Sequence, residues 1–275
     1  MLTQREKGQI FRGLHEREHA FIIPNPWDRG TARILERLGF EALATTSAGC
    51  AFSLGEADGA IGRETAIQHV RTMAAATRLP VSGDLENGFG DTPEIAAETI
   101  RMGAEAGLVG GSIEDATGDS ERPIYEFAHA VERVRAAAEA ARDLPFTFTL
   151  TARAENFLHG RRDLRDTIRR LQAYQEAGAD VLYAPGLTTR DEIAEVLRSV
   201  NRPLNVLMGL GGVNLTLADL SDLGVRRISV GSALSRVALG AFLDAAREMR
   251  QHGTFTFADH AASSRELHEF FRSDP

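Results

Sequence analysis

An apolar run, Val81-Ser82-Gly83, ends in Asp84-Leu85-Glu86 and then in Asn87-Gly88-Phe89-Gly90-Asp91. Alternate side chains of a strand share a face, so carboxylates two residues apart at a strand end can converge on one point. Asp84 and Glu86 placed in that way suit a hard divalent cation such as Mg2+, which takes few carboxylates and several waters. The other reading of the same residues is a polar turn whose Asp and Asn bind their own backbone. Comparable groups follow other apolar runs. The small side chains of Thr45-Thr46-Ser47-Ala48-Gly49 leave backbone amides open to an anion. Ser112-Ile113-Glu114-Asp115 offers a third acid. Thr151-Ala152-Arg153-Ala154-Glu155-Asn156 offers Arg153, whose planar fork can grip a carboxylate through two parallel hydrogen bonds. The chemistry these residues could do together is metal-assisted work on a small carboxylate.

The elements that must position them repeat along the chain. Four times a helical pattern ends in Gly and leads into an apolar run: Gly39 into Glu41 to Thr45, Gly107 into Leu108 to Ile113, Gly178 into Asp180 to Tyr183, and Gly224 into Arg226 to Val230. Glycine just past a helix supplies the left-handed cap. Further apolar runs lie at Phe21 to Ile23, Leu79 to Gly83, Phe146 to Thr151 and Leu204 to Leu207. Segments with apolar residues at helical spacing, such as Leu164, Ile168, Leu171 and Tyr174, separate them. About eight strands alternating with helices predict a parallel sheet with helical crossovers, and that number in one chain of this size predicts a closed (β/α)8 TIM barrel. An open doubly wound sheet is the competing fold. No Gly-x-Gly-x-x-Gly opens a helix after the first strand, so a dinucleotide site has no support. In a barrel the reacting groups come from the carboxyl ends of the strands, where all the groups above fall.

Composition agrees with one enzyme-sized domain spanning residues 1–275, of which 251–275 reads as a C-terminal helical extension. The 275 residues, 43% hydrophobic, can bury a substantial core, and no Pro/Ser linker divides them. A net charge of −8 argues against a nucleic-acid surface. The polar start and the lack of long apolar runs predict a cytoplasmic protein without a membrane partner. The single Cys50 excludes an internal disulfide and a multi-cysteine metal site.

In motif order the chain resembles the isocitrate lyase/phosphoenolpyruvate mutase superfamily. The resemblance rests on Asn25 to Arg33, on Ala42 to Gly49 with Ser53-Leu54-Gly55 and Asp58, on Asp84-Leu85-Glu86-Asn87-Gly88-Phe89-Gly90, on Ile113-Glu114-Asp115, on Thr151-Ala152-Arg153 and on Gly224 to Gly231. It implies Mg2+ or Mn2+ held at Asp84, Glu86 and Glu114, partly through water, with Asp58 behind them. Arg153 and Asp58 then serve catalysis, and Thr46, Ser47, Ala48, Asp84, Arg153 and Asn205 contact the substrate. The implied substrate is a small 2-oxo or 2-hydroxy carboxylate, cleaved through an enolate whose charge the metal and Arg153 counter. The resemblance also implies a homo-oligomer, with dimers that exchange a terminal helix and pair into a homotetramer.

Departures from the family pattern narrow the reaction. The lyases of this superfamily carry a Lys-(Lys/Arg)-Cys-Gly-His loop after the fourth strand. Here the segment reads Glu114-Asp115-Ala116-Thr117-Gly118-Asp119-Ser120-Glu121-Arg122-Pro123, without Lys, Cys or His. The Lys and Asn that serve phosphonate chemistry on that loop are also missing. Decarboxylation of oxaloacetate, which needs no cysteine to begin, is the leanest remaining reaction. A cysteine-independent lyase or hydrolase of a larger 2-oxo or 2-hydroxy diacid comes second, with Tyr183, Glu155 or a metal-bound water moving the proton. A barrel that only binds oxaloacetate or 2-oxoglutarate is a third. Tyr183 to Leu187 and Asn205 should shape the far half of the cavity. Cys50 reads as a small buried side chain. Of the eight histidines only His159 falls near the predicted site. The tail from Phe255 to Phe271 carries an apolar face with no barrel left to cover, which suits burial on another subunit; folding back on its own barrel is the alternative.

Overall fold

The computed structural model describes residues 2–209, 211 and 213–272. In chain order the elements are α1 (Gln4–Glu16), β1 (Phe21–Ile23), α2 (Arg29–Arg37), β2 (Leu43–Ala44), α3 (Ser47–Leu54), α4 (Arg63–Ala76), β3 (Val81–Asp84), α5 (Pro93–Glu105), β4 (Gly110–Glu114) and α6 (Phe127–Arg142). They continue with β5 (Thr149–Arg153), α7 (Leu164–Ala177), β6 (Val181–Tyr183), α8 (Arg190–Ser199), β7 (Leu204–Leu207), α9 (Leu217–Leu223), β8 (Arg227–Ser229), α10 (Ala233–His252) and α11 (Ser264–Phe271). Each of the eight apolar runs overlaps one strand. Gly39, Gly107, Gly178 and Gly224 all take left-handed φ, between 87° and 110°, where a side chain would be strained.

All strand pairs are parallel, and β1 pairs with β8, so the order runs β1-β8-β7-β6-β5-β4-β3-β2. The seam between β1 and β2 is bridged just beyond β1, where the Ala44 N–H donates to the Pro24 carbonyl at 3.1 Å. This is the (β/α)8 barrel expected, not an open sheet. Outward strand residues such as Leu182, Leu204, Val206 and Ile228 are buried against helix residues such as Leu171, Tyr174, Ile193 and Val196. Each such side chain stabilises the fold by roughly 1.5–3 kcal/mol through burial. Below the barrel, α1 lays Phe11 and Leu14 against Phe21, Ile23, Ala42, Ala44 and Val109 and closes the lower mouth. The fit leaves no room for a side chain at Gly110, whose Cβ would stand 2.6 Å from the Phe11 ring.

Inside the barrel the register has a consequence for the site. Glu114, Arg153, Tyr183, Asn205, Arg227 and Phe21 are successive partners across β4, β5, β6, β7, β8 and β1. Partners directly opposite face the same side of a parallel sheet. Glu114, Arg153 and Tyr183 end their strands, whereas Arg227 and Phe21 begin theirs. The row therefore descends from the rim to the floor, as strand tilt in a closed barrel requires.

Two features of the C-terminal part bear on the tail. The last helix, α11, lies on α2 of its own chain: Arg33 Nη2 and Arg37 Nη1 donate to the carbonyls of Phe271 and Glu269 at 3.1 and 2.9 Å. An apolar face of α10 is left open as well, where Val237 is 72% and Phe242 68% exposed and Leu239, Leu243 and Met249 are also exposed, and in the tail Phe255, Leu267 and Phe271 stay exposed. The β7 to α9 connection includes Leu210 and Gly212, which lie outside the described residues. Among the described residues no helix is long and apolar enough to cross a membrane.

Candidate active site

Strands β3, β4 and β5 end side by side in Asp84, Glu114 and Arg153. Arg153 fans out between the acids: Nη1 donates to Asp84 Oδ1 at 2.9 Å, Nη2 pairs with Glu114 Oε2 at 3.0 Å, and Nε donates to Glu155 Oε1 at 2.8 Å. Its guanidinium also lies 5.2 Å from the centre of the Tyr183 ring. Burial works against the charge on Arg153, but Glu114, Glu155 and Asp84 more than offset it and hold its basicity above the ordinary arginine value. Asp84 is fixed from its other side, because Oδ2 accepts the Ser47 N–H at 3.0 Å while its own N–H donates to Thr45 Oγ1 at 2.8 Å. Ser47 opens α3, and the Thr46 side chain caps that helix by accepting the Gly49 N–H.

Glu155 is held by a second, deeper layer. Its N–H donates to Asp115 Oδ1 at 2.8 Å, and Asp115 Oδ2 accepts from Arg170 Nη1 at 3.0 Å and from the Tyr174 hydroxyl at 2.5 Å. Asp115, Glu155 and Arg170 are all buried. Such satisfied networks fix geometry, and breaking one partner leaves a charge stranded.

A cavity of about 160 Å3 opens beside Arg153 and is lined among others by Thr46, Ser47, Ala48, Asp58, Asp84, Tyr183 and Arg227. That space equals roughly five waters, which suits a small acid rather than a nucleotide. Of the residues expected from sequence, Thr46, Ser47, Ala48, Asp58, Asp84 and Arg153 therefore meet at one cavity. Glu114 reaches it through Arg153. Asn205 lies buried below, donating from Nδ2 to Ser229 Oγ at 2.9 Å and leaving Oδ1 without a partner. Of the amides expected to be open to an anion, that of Ser47 is taken by Asp84.

Glu86 is placed differently from the strand argument. The strand stops at Asp84, and Glu86 has φ +46°, a left-handed turn in which the alternation of strand faces no longer applies. Its side chain lines a narrow cleft with Cys50 and His69 beside Asp84. Burial first, then the charges of Asp84 and Asp58, push Glu86 up to about 7. Partial desolvation and Asp84 likewise raise Asp58, and burial raises Glu114 well above the usual carboxylate range, with Glu155, Asp84 and Glu86 adding to it.

Among the described residues no three Asp, Glu, His or Cys side chains stand together as a direct ligand set for one metal ion. The arrangement differs in this respect from a tight three-carboxylate grip by Asp84, Glu86 and Glu114, because the guanidinium of Arg153 stands between two of them. The donor set nevertheless fits a divalent cation. Asp58, Asp84, Glu86, Glu114 and Glu155 are close enough to raise one another or share Arg153, so negative charge exceeds the single cation among them. An ion such as Mg2+ satisfies itself with one or two carboxylates and several waters.

Other expectations resolve simply. Cys50 is buried, and burial together with Glu86 pushes its thiol up to about 11, so it stays protonated. His159 is exposed above the β5 end, and His15 is buried below the barrel. The Ala116 to Pro123 segment folds on itself, with an Ala116–Ile124 bridge and Thr117 donating to the Pro123 carbonyl at 3.0 Å; it borders an outer groove with Tyr125 and Phe127. Two site residues escaped sequence reasoning. Asn25 ties the seam, accepting on Oδ1 from the Val230 and Gly231 amides at 3.0 and 2.9 Å and donating from Nδ2 to the Thr45 carbonyl at 3.0 Å. Arg227 lies on the cavity floor; its signal was a charged residue inside the apolar run that forms β8.

Comparison with known proteins agrees with this geometry. The sequence signature of the Phosphoenolpyruvate phosphomutase family matches residues 11–250. A crystal structure of a candidate lyase/mutase from Burkholderia cenocepacia J2315 is 61% identical, with a TM-score of 0.96 over 98% of this chain and 97% of that one. An uncharacterized protein of Mycobacterium tuberculosis is 34% identical over 240 residues, 86% of this chain and 87% of its own. An oxaloacetate decarboxylase of Bradyrhizobium sp. is 28% identical over 236 residues, 83% of this chain and 79% of its own.

Proposed function

Since the chain belongs to the phosphoenolpyruvate phosphomutase family, we propose that it cleaves a carbon–carbon bond of a small 2-oxo acid by way of an enolate, with oxaloacetate decarboxylation as the leading reaction. The observation that carries the reading is the convergence of acids from β3 and β4 on Arg153 of β5, at the wall of a cavity sized for a small acid. The relative named oxaloacetate decarboxylase supports it. Mg2+ or Mn2+, held by Asp84 and through water by Asp58, Glu86 and Glu114, would supply Lewis-acid withdrawal of electrons from the 2-oxo group.

The chain's own residues do the rest. Arg153, fixed by Glu155 in a charged state, offers positive charge where the enolate oxygen forms. The positive end of the α3 dipole faces the substrate carboxylate, with the Ser47 amide itself taken by Asp84. Tyr183, whose phenol burial pushes up to about 12, keeps its proton at the cavity wall and can deliver it to carbon. One observation favours the second reading, cleavage of a larger diacid: the buried cation Arg227 on the floor.

The test is the release of pyruvate from oxaloacetate with and without Mg2+. We expect metal-dependent turnover that Asp84→Asn lowers on the order of 10³-fold. Tight binding of oxaloacetate with no rate above the metal-catalysed background would sink the enzyme reading. We also propose that the open face of α10 is covered by a second copy of the chain, since an apolar helix face of this extent marks an interface.

A further inference from the structure

Arg227 is a buried charged group with no part in the enolate chemistry at the rim. It is the first residue of β8, it is 4% exposed, and it belongs to the floor end of the row that begins at Glu114. Its one hydrogen bond runs from Nη1 across the barrel to Thr151 Oγ1 at 2.9 Å, and its Nε is buried without a partner. Among the described residues it makes no ion pair, whereas Arg153 makes three. A buried guanidinium without a counter-ion is costly, and proteins keep such groups paired. The same cavity that touches Asp84, Ser47 and Arg153 at its rim reaches Arg227 below.

We propose that Arg227 is the anion-binding floor of the cavity and takes the far carboxylate of a diacid whose 2-oxo head sits among Asp84, Ser47 and Arg153. This rests on the reading of the cavity as a 2-oxo acid site and names the substrate class within it. The charge of Arg227 also limits the reaction. A carboxylate that departs as CO2 must give up its electron pair toward the 2-oxo oxygen, and a cation paired with it holds that pair back. An interaction stronger in the ground state than in the transition state slows the step. The carboxylate on Arg227 is therefore one that the reaction keeps: oxaloacetate loses its C4 carboxylate only with that group off Arg227, whereas a longer diacid seated there breaks the bond beyond its 2-oxo head, the electron pair passing to the enolate and the fragment leaving as an aldehyde or ketone that still carries its acid.

The experiment is calorimetric titration of the wild-type protein with Mg2+ against two acids of equal length, 2-oxoglutarate and 2-oxopentanoate, which differ only in the far carboxylate. The C4 pair, oxaloacetate and 2-oxobutyrate, is measured in parallel by inhibition or turnover. The diacid of at least one pair should bind about 10- to 100-fold more tightly. Arg227→Met should bring the two acids of that pair to within about twofold by weakening the diacid alone, and Arg227→Lys should keep part of the preference. With any substrate that is turned over, Arg227→Met should raise KM with little change in kcat, the mark of binding shared by ground and transition states. Equal affinities in the wild type, or a diacid preference that survives in Arg227→Met, would overturn the proposal while leaving the 2-oxo acid site standing. Failure of every acid to bind the wild type would overturn both. The wild-type comparison decides even if Arg227→Met does not fold.

Discussion

Arg153 and Arg227 belong to one row of paired residues inside the barrel, yet Arg153 donates to three carboxylates while Arg227 has one hydroxyl. Burial pulls on both. At the rim the acids win, and Arg153 is more basic than a free arginine; at the floor burial wins, aided by Arg153 itself, and brings Arg227 down to about 10. The contrast separates two uses of a buried cation. One is locked by its neighbours and presents fixed charge, and the other has its partner still to come.

Removing the locked cation should have the largest effect. Arg153→Met leaves Asp84, Glu114 and Glu155 without a counter-charge and should destabilise the metal-free protein by about 3–5 kcal/mol in urea denaturation. The corresponding change at the floor should have the opposite sign: Arg227→Met exchanges an unpaired charge for an apolar side chain and should leave stability unchanged or raise it by about 1 kcal/mol. Equal losses for the two variants would erase the distinction.

His15 reports on the same charge from below. It packs edge-on against Phe11 and Phe21 and donates from Nδ1 to the Phe11 carbonyl at 2.8 Å. Burial, then Arg227, lower it to about 3. The unfolded chain takes up a proton on His15 near pH 6.5, before the folded one does, so this contribution to stability is complete above that pH and is lost as the pH falls toward 3. In Arg227→Met the His15 titration seen by NMR should move upward, and the loss of stability on acidification should shrink. An unmoved titration would mean that the charge of Arg227 is already neutralised. The smallest effect on stability is expected at Phe242→Asp on the exposed face of α10, within about 0.5 kcal/mol. Light scattering should nevertheless show a smaller assembly than the wild type.

Much of this was legible in the chain because buried parallel strands read as short apolar runs and glycine marks the helix ends. Asp84, Ser47 and Arg153 follow such runs directly, so their place at the rim followed from the fold. Glu86 did not, because a left-handed turn breaks the alternation that spacing assumes. Arg227 sits within a run, where a charge reads as noise until the register shows that it faces inward beside Asn205. The fate of α10 and α11 was hidden as well, since amphipathic spacing tells that a face is apolar without telling what covers it.

The seal that α1 makes under β1 and β4 gives the barrel a single doorway. A fragment seated on Arg227 cannot leave until the piece above it has gone, so the two products should depart in a fixed sequence. The last one out should compete with incoming substrate for the empty enzyme, and the first should inhibit only in a mixed fashion.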